Sequence, residues 1–319
     1  MKLCVFGAGA VGGHIAAKLA AAGNDVSVVA RGAHLEAMKG RGLKLLHGQQ
    51  TILGRVGAAA HARELGAQDA VFVTLKANLL AAFAEQCAPL LGRDTAVVFV
   101  QNGIPWWYDA RLTRLDPRGK LAKAVAPERV IGGVAYSANE IVEPGVIENH
   151  VPGNNMIVIG RPDKKETPLV RDLRAALAAA DMASPALSDI RQSVWSKLAQ
   201  NLWTSTLCTL TQSNVREVQE NPELKPIAAR ATEEARAIAR ALGVAIEQAP
   251  PRPSGQASSG AAHKPSMLQD YERGRPMEVE SQLYAPLELA RAAKVHTPTL
   301  DVLVPLVATK AAAKGLFTH

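Results

Sequence analysis

Residues 2–31 read KLCVFGAGAVGGHIAAKLAAAGNDVSVVAR, and this stretch carries the strongest indication of the fold. An apolar run, Leu3 to Phe6, predicts a buried strand that leads into the glycine-rich turn Gly7–Gly12. A helical pattern follows until Gly23, and a second apolar run, Val26 to Ala30, predicts the next strand. The order strand, glycine turn, helix, strand predicts the start of a Rossmann-type, doubly wound α/β sheet.

The glycine turn has the GxGxxG spacing of a dinucleotide site, and its position between strand and helix makes that match informative. Gly7 permits the tight turn, Gly9 lets the backbone approach a pyrophosphate, and Gly12 lets the helix pack closely on the strand. The helix N-terminus supplies N–H groups for the phosphates. The predicted coenzyme contacts in this turn are Gly7, Ala8, Gly9, Ala10, Val11 and Gly12.

The end of the second strand indicates which dinucleotide binds. NAD sites usually carry Asp or Glu there, but this chain reads Ala30-Arg31-Gly32. An arginine suits a ribose 2′-phosphate because its guanidinium forms bidentate bonds to phosphate oxygens. The sequence therefore predicts NADPH, and the alternative is that Arg31 is simply a solvated residue after a strand.

Composition narrows the functional class. With 319 residues, 48% of them hydrophobic and 20% charged, the chain is long enough for two globular domains. A formal net charge of +7 suits small anionic ligands, while the absence of a basic run interleaved with aromatic residues argues against nucleic acid. No apolar run reaches about 20 residues, so we expect no membrane partner.

Compartment is predicted from two further observations. The glycine motif begins too near residue 1 to leave room for a signal peptide. Cys4, Cys87 and Cys208 are odd in number and widely spaced, which favours reduced core thiols over disulfides or a metal site. We therefore expect a cytoplasmic protein without a metal.

Strand and helix patterns alternate as far as residue 187, and we expect an antiparallel extension of the sheet over residues 130–160. From residue 188 only helical patterns remain. The sequence thus predicts an α/β dinucleotide-binding domain at 1–187 and an all-α substrate domain at 188–319. The stretch 249–260, rich in Pro, Ser and Gly, is expected to be a mobile loop or a lid within the helical domain.

The helical part contains two groups of chemically useful side chains. Lys197 and Asn201 are four residues apart and therefore share a helix face. Glu278 and Glu280 follow Pro276 at a predicted helix start. Both groups have an ordinary interpretation, because most helical lysines are solvated and carboxylates at a helix start favour the dipole.

The complete set of motifs resembles the ketopantoate reductase family, the 2-dehydropantoate 2-reductases. The residues that carry the resemblance are Gly7–Gly12, Arg31, Thr74-Leu-Lys76, Gln101-Asn102-Gly103, Lys197-Leu-Ala-Gln-Asn201, Ser266-Met-Leu-Gln-Asp270 and Gly274-Arg-Pro-Met-Glu278. They occur in the family's order, and jointly they are far more specific than any one of them.

The resemblance implies a Rossmann domain followed by a helical domain, and NADPH-dependent reduction of a 2-keto acid for pantothenate and coenzyme A synthesis. It implies that Lys197 is the proton donor, since hydride delivery to a ketone leaves negative charge on oxygen. Glu278 would contact the substrate hydroxyl and couple to the lysine. The remaining implied contacts are Asn102 at the nicotinamide and ketone oxygen, Lys76 at the coenzyme, and Asn201, Ser205 and Ser266 at the substrate.

Three departures from the family leave the exact 2-keto acid open. Trp106-Trp107-Tyr108 follow Gly103 where relatives carry small or polar residues, and they either pack in the core or narrow the substrate pocket. Ser205 stands where the family often has a second asparagine. Relatives also show an Asp…Asn-Gly pattern after Glu278, where this chain has Glu280 and no Asn-Gly.

Two rival functions remain open. One is a paralogous reductase of another branched or aromatic 2-keto acid. The other is a non-catalytic NADP(H)-binding sensor, which would not need Lys197 and Glu278. The chain is expected to be a monomer or a homodimer.

Overall fold

A computed structural model describes residues 1–153, 155–251 and 264–318. The chain folds into two compact units. The first comprises Met1–Gln101 and Asp116–Ile190, and the second comprises Asn102–Leu115, Arg191–Pro250 and the described residues from 264 onward.

All strands of the described residues lie in the first unit. They are β1 Lys2–Phe6, β2 Asp25–Val29, β3 Leu43–His47, β4 Gln50–Gly54, β5 Gly57–Ala59, β6 Gln68–Val73, β7 Leu91–Val100, β8 Val130–Tyr136, β9 Asn139–Glu143, β10 Val146–Asn149 and β11 Met156–Gly160.

Seven strands form the main sheet in the order β11-β8-β7-β6-β1-β2-β5. From β5 to β8 every neighbouring pair is parallel. The chain order reverses between β1 and β6, which is the topological switch point where doubly wound sheets bind ligands. The predicted fold class is confirmed, and the carboxyl ends of β1, β2, β6 and β7 share one edge.

The expected antiparallel extension is smaller than predicted. β8 continues the parallel sheet, and only β11 pairs antiparallel to it. β9 and β10 instead join the hairpin β3–β4 in a second sheet of order β4-β3-β10-β9. This sheet packs closely on the first helix. A Cβ built on Gly13 would lie 2.7 Å from the Ile147 side chain, and one built on Gly54 would lie 2.8 Å from Ala17. Sequence periodicity does not reveal such a packing surface.

The first unit contains helices α1 Ala10–Ala21, α2 Gly32–Arg41, α3 Leu80–Ala84, α4 Lys120–Ala124 and α5 Pro168–Ala179. The Val170 amide donates to the Thr167 hydroxyl, which caps the N-terminus of α5. The short helix α3 is flanked by 3₁₀ turns at Ala77–Leu79 and Ala88–Leu90. Pro89 lies in the second turn and cannot continue an α-helix.

The second unit is all-helical in its described part. Its elements are α6 Ile190–Thr211, α7 Val215–Glu220, α8 Leu224–Ala241, α9 Ser266–Glu272, a π-helical turn Glu280–Tyr284, α10 Ala285–Ala292 and α11 Leu300–Ala313. The segment Asn102–Leu115, which the sequence assigns to the sheet domain, belongs with these helices. Most of the predicted loop at 249–260 lies outside the described residues.

Cys4, Cys87 and Cys208 are buried and form no disulfide, as expected for core thiols. Burial raises the pKa of the Cys4 and Cys208 thiols to about 12, so these two side chains stay protonated and unreactive. Within residues 1–153, 155–251 and 264–318, every helix is too short or too polar to cross a bilayer.

Candidate functional site

The glycine turn of the first unit is held at the carboxyl edge of three strands. The amides of Gly7 and Ala8 donate to the carbonyl of Val29, at the end of β2, over 3.0 and 3.3 Å. The Thr74 hydroxyl, just after β6, donates to the Gly7 carbonyl over 2.7 Å. Gly7 has φ +101°, a backbone conformation that favours glycine. These backbone and hydroxyl contacts fix the conformation of the turn.

The glycines of the turn differ in the space around them. A Cβ built on Gly12 would stand closer than 3.0 Å to the Thr74 hydroxyl and the Gly7 carbonyl. A Cβ built on Gly9 would meet nothing nearer than 4.0 Å. The first-turn amides of any α-helix lack an intrahelical acceptor, and Gly9, which precedes α1, supplies no side-chain cap for those of α1. This open backbone cradle fits a dinucleotide pyrophosphate.

The two cationic residues predicted for the coenzyme also belong to this edge of the sheet. Arg31 is exposed and lies at the start of α2, two residues after β2. Val29, two residues before Arg31, accepts from the amides of Gly7 and Ala8. Lys76 is half-buried and follows β6, beside Leu75, whose side chain contacts the position of Gly7.

Two supporting residues of the turn carried no sequence signal of that role. His34 on α2 bonds the Ala8 carbonyl through Nε2 at 2.7 Å, while its Nδ1 accepts from the Gly145 amide at 2.9 Å. These partners fix the Nε2–H tautomer. The Gln101 amide donates to the carbonyls of Val73 and Leu75, joining the ends of β7 and β6. Both contacts join residues distant in sequence, which periodicity cannot reveal.

The second unit places the predicted lysine against the predicted asparagine. Lys197 Nζ donates to Asn102 Oδ1 over 2.7 Å, and both residues are half-buried. Because an ammonium group only donates, this bond directs the Asn102 amide Nδ2 away from the lysine as a separate donor. Asn201 and Ser205 follow Lys197 on α6 at four-residue spacing, so the three share one helix face.

The segment that carries Asn102 is bound to the helices by further short contacts. The Ile104 amide donates to the Ser281 carbonyl over 2.7 Å, and a Cβ on Gly103, which has φ +80°, would meet the Gln282 amide at 2.8 Å. The indole N–H of the fully buried Trp195 donates to the Tyr108 hydroxyl over 2.7 Å.

Packing also engages the aromatic residues after Gly103. The Arg191 guanidinium lies 5.9 Å from the ring centre of Trp107 and 5.5 Å from that of Tyr108. Trp107 and Tyr108 stack on each other with ring centres 6.3 Å apart. Trp107 and Tyr108 therefore pack against the first turns of α6.

The two predicted carboxylates point in different directions. Glu278 is buried, and its Oε2 accepts from the side-chain Nε2 of Gln282 at 3.3 Å. Glu280 pairs with the exposed Arg114 at 3.1 Å. Ser205 is buried and donates to Gln282 Oε1 at 3.4 Å, while Ser266 is exposed at the start of α9. No group of three or more His, Cys, Asp or Glu in the described part of the chain can hold a metal ion.

The structure thus gathers two sets of predicted residues, one in each unit. The first unit brings Gly7–Gly12, Arg31 and Lys76 to one sheet edge. The second brings Lys197 together with Asn102, and Glu278 together with Ser205. Gln282, which links the second pair, was missed by sequence reasoning because an isolated glutamine in a helical pattern is no signal.

Two family models match this chain. Residues 3–164 match "Ketopantoate reductase PanE/ApbA", and residues 189–311 match "Ketopantoate reductase PanE/ApbA C terminal". A curated relative from Mesorhizobium japonicum, named 2-dehydropantoate 2-reductase, is 41% identical, with 100% of both chains covered.

Solved structures agree in fold. A Ralstonia solanacearum chain described as a candidate ketopantoate reductase is 32% identical, has a TM-score of 0.88 and covers 99% of both chains. D-mandelate dehydrogenase, solved with NADH and anilino(oxo)acetate, has a TM-score of 0.83 at 20% identity over 99% of this chain and 100% of its own, and so shares the fold alone. The matched models and the full-length relative together show that this chain belongs to the ketopantoate reductase family.

Proposed function

We propose that this chain is an NADPH-dependent 2-dehydropantoate 2-reductase, an oxidoreductase that forms pantoate for pantothenate and coenzyme A synthesis. The observation that carries the proposal is the 41% identity to a 2-dehydropantoate 2-reductase over the full length of both chains. The bond between Lys197 and Asn102 supports it, because it positions an ammonium group, and reduction of a ketone needs a positioned proton donor.

The coenzyme is assigned to the first unit. Gly7–Gly12 form an open cradle beside the N-terminus of α1, which suits a pyrophosphate. Arg31 is assigned to the ribose 2′-phosphate, since the end of β2 offers a guanidinium and no carboxylate. Lys76 is assigned to a second cationic contact with the coenzyme, and Asn102 to the nicotinamide end.

The chemical step is assigned to the second unit. When bound, the reduced nicotinamide supplies a hydride to the ketone carbon of the 2-keto acid. The Lys197 ammonium gives its proton to the ketone oxygen, which becomes the hydroxyl of the 2-hydroxy acid. Asn102 accepts from Nζ and so holds the lysine in one rotamer, leaving its own amide N–H to donate to the same oxygen.

The family resemblance implies four polar residues of the second unit for substrate recognition, and three of them, Glu278, Asn201 and Ser266, are assigned to it. Glu278, buried and acceptor-only when ionised, suits the substrate hydroxyl. Asn201 shares the helix face of Lys197, and Ser205 and Ser266 complete the predicted set. The substrate is a small-molecule partner, and the chain acts as a monomer or a homodimer.

The domain division at 187/188 is part of this proposal, with coenzyme binding before it and catalysis after it, except that Asn102–Leu115 belong with the catalytic part. We also place the reaction in the cytoplasm, which the three free cysteines support.

A steady-state assay tests the proposal. NADPH oxidation is followed with 2-dehydropantoate and with a panel of branched and aromatic 2-keto acids. We expect the highest kcat/KM for 2-dehydropantoate. Negligible turnover of this substrate beside fast turnover of another acid would reject the assignment.

The proton-donor role is tested by Lys197→Ala and Lys197→Arg. Both should lower kcat by about 10²–10⁴, because arginine keeps the charge but does not release a proton. Lys225→Ala, at an exposed position of the same unit, serves as the matched control and should retain full activity. Wild-type-like turnover by Lys197→Ala would show that another group donates the proton.

A further inference from the structure

The π-helical turn Glu280–Tyr284 begins two residues after Glu278 and carries a fully buried glutamine. Gln282 is 1% exposed, and the turn's wide spacing is seen in the Ala285 amide, which donates to the Glu280 carbonyl. Single π-helical turns are rare and are frequently found at functional sites. The position of Gln282 therefore calls for a reason beyond packing, because burying an amide costs free energy unless both its ends are bonded.

Both ends of this amide have partners. Gln282 Nε2 donates to Glu278 Oε2 at 3.3 Å, and Gln282 Oε1 accepts from the Ser205 hydroxyl at 3.4 Å. An ionised carboxylate accepts only, so it requires the Nε2 end, and the Oε1 end is left for the hydroxyl donor. The two hydrogen bonds that link Ser205, Gln282 and Glu278 therefore both donate toward Glu278.

We propose that Gln282 is a positioning residue that orients the Glu278 carboxylate for catalysis, and that Ser205 acts by fixing the Gln282 amide rather than by binding substrate. The inference rests on the role proposed for Glu278. It also accounts for the departure at Ser205, since a longer asparagine at this buried position would compete with the glutamine for the same space.

The backbone around Gln282 supports a positioning role. The backbone N–H of Gln282 donates to the backbone carbonyl of Glu278 over 3.1 Å, so both side chains extend from one short stretch of helix. The same stretch is bonded at Ser281 by the Ile104 amide, two residues after Asn102. The partner of Lys197 and the partner of Glu278 are therefore built on backbone segments that contact each other.

Surrounding charge favours the same conclusion. Glu280, the other carboxylate of the turn, is drawn outward by its ion pair with Arg114. Glu278 accordingly does not share its buried position with a second carboxylate on this turn. The neutral Gln282 amide can then stabilise and aim the Glu278 oxygen without removing its charge.

Gln282→Met tests the inference, because methionine keeps the length of the side chain and removes the amide. We expect kcat/KM for the 2-keto acid to fall by about ten-fold, the effect of losing a hydrogen bond to a charged group. Ser205→Ala should cost about two- to three-fold, mainly in kcat, and Ser205→Thr, which keeps the hydroxyl, should restore activity. Gln68→Leu removes a comparably buried amide in the first unit and should leave kcat/KM unchanged.

Combined variants separate positioning from stability. In a Glu278→Gln background, Gln282→Met should change kcat/KM by less than two-fold, because the group it orients is already altered. A full ten-fold effect in that background would overturn the inference. So would an effect of Ser205→Ala confined to KM, which would make Ser205 a substrate contact. If Gln282→Met does not fold, Ser205→Ala measured with and without Glu278→Gln gives the same test, because Ser205 bonds the other end of the Gln282 side chain.

The variants are measured with whichever 2-keto acid the wild-type protein reduces fastest. Failure of 2-dehydropantoate as substrate would then reject the proposed function, while the coupling between Gln282 and Glu278 would still test the inference.

Discussion

Alanine substitutions at Gly9 and Gly12 should separate coenzyme binding from folding stability. At Gly12 the new methyl group would overlap the Gly7 carbonyl and the Thr74 hydroxyl, and the first of these is backbone that cannot rotate away. Overpacking of this kind costs about 1–3 kcal/mol of unfolding free energy. At Gly9 the backbone, with φ −72° and ψ −161°, accepts any residue, and the methyl has a clearance of 4.0 Å.

Gly9→Ala should therefore leave the unfolding free energy within about 0.5 kcal/mol of the wild-type value. It should nevertheless weaken NADPH binding, because the methyl group occupies the space through which a pyrophosphate approaches the backbone. Losing one or two hydrogen bonds to a charged phosphate costs about 1.5–3 kcal/mol, or roughly a 10- to 150-fold rise in Kd. Gly12→Ala should instead lose stability first.

Urea unfolding followed by circular dichroism and NADPH titration by fluorescence measure the two quantities on the same samples. Gly40→Ala is the matched control, since Gly40 is an exposed position of α2 where a methyl group would meet nothing within 4 Å. It should keep NADPH affinity and gain about 0.5–1 kcal/mol. A Gly9→Ala protein that binds NADPH as the wild type does, or that unfolds as easily as Gly12→Ala, would refute the assignment of Gly9 to the pyrophosphate.

Three further predictions follow from other contacts. Arg31→Ala should weaken NADPH binding by about ten-fold or more and leave NADH binding little changed, and equal losses in coenzyme titrations would remove its 2′-phosphate role. Burial, together with the nearby Lys18 and His47, lowers the pKa of His14 to about 3 from 6.5. Between about pH 6.5 and pH 3 the unfolded chain binds a proton at His14 that the folded chain does not, so the unfolding free energy should fall with decreasing pH by at most about 1.4 kcal/mol per pH unit; urea midpoints of His14→Leu should show a correspondingly flatter pH profile. Tyr108→Phe should leave the buried indole N–H of Trp195 without its acceptor and cost about 1–3 kcal/mol; an unchanged melting temperature would show that the bond contributes little.

Local pattern was sufficient for much of the fold, while the predicted chemistry rested on the family resemblance of the combined motifs. The glycine turn, the strand runs and the helical periodicities identified a doubly wound sheet followed by helices, because these features depend on neighbouring residues. Pattern failed where partners are distant in sequence. The strands over 139–149 lie in the second sheet and not in the main one. Their own sequence does not reveal this, because the surface of α1 that covers them lies far away in the chain.

The same division holds for the site. The sequence by itself determined the residue types: a glycine turn without a following carboxylate, a lysine on a helix, and a glutamate after Pro276. Only tertiary structure decided the pairings, in which Asn102 holds Lys197, Gln282 joins Ser205 to Glu278, and His34 supports the turn. The physical reason is that a hydrogen bond is fixed by distances of about 3 Å between side chains, and these distances exist only after residues as far apart as 102 and 197 have been packed together.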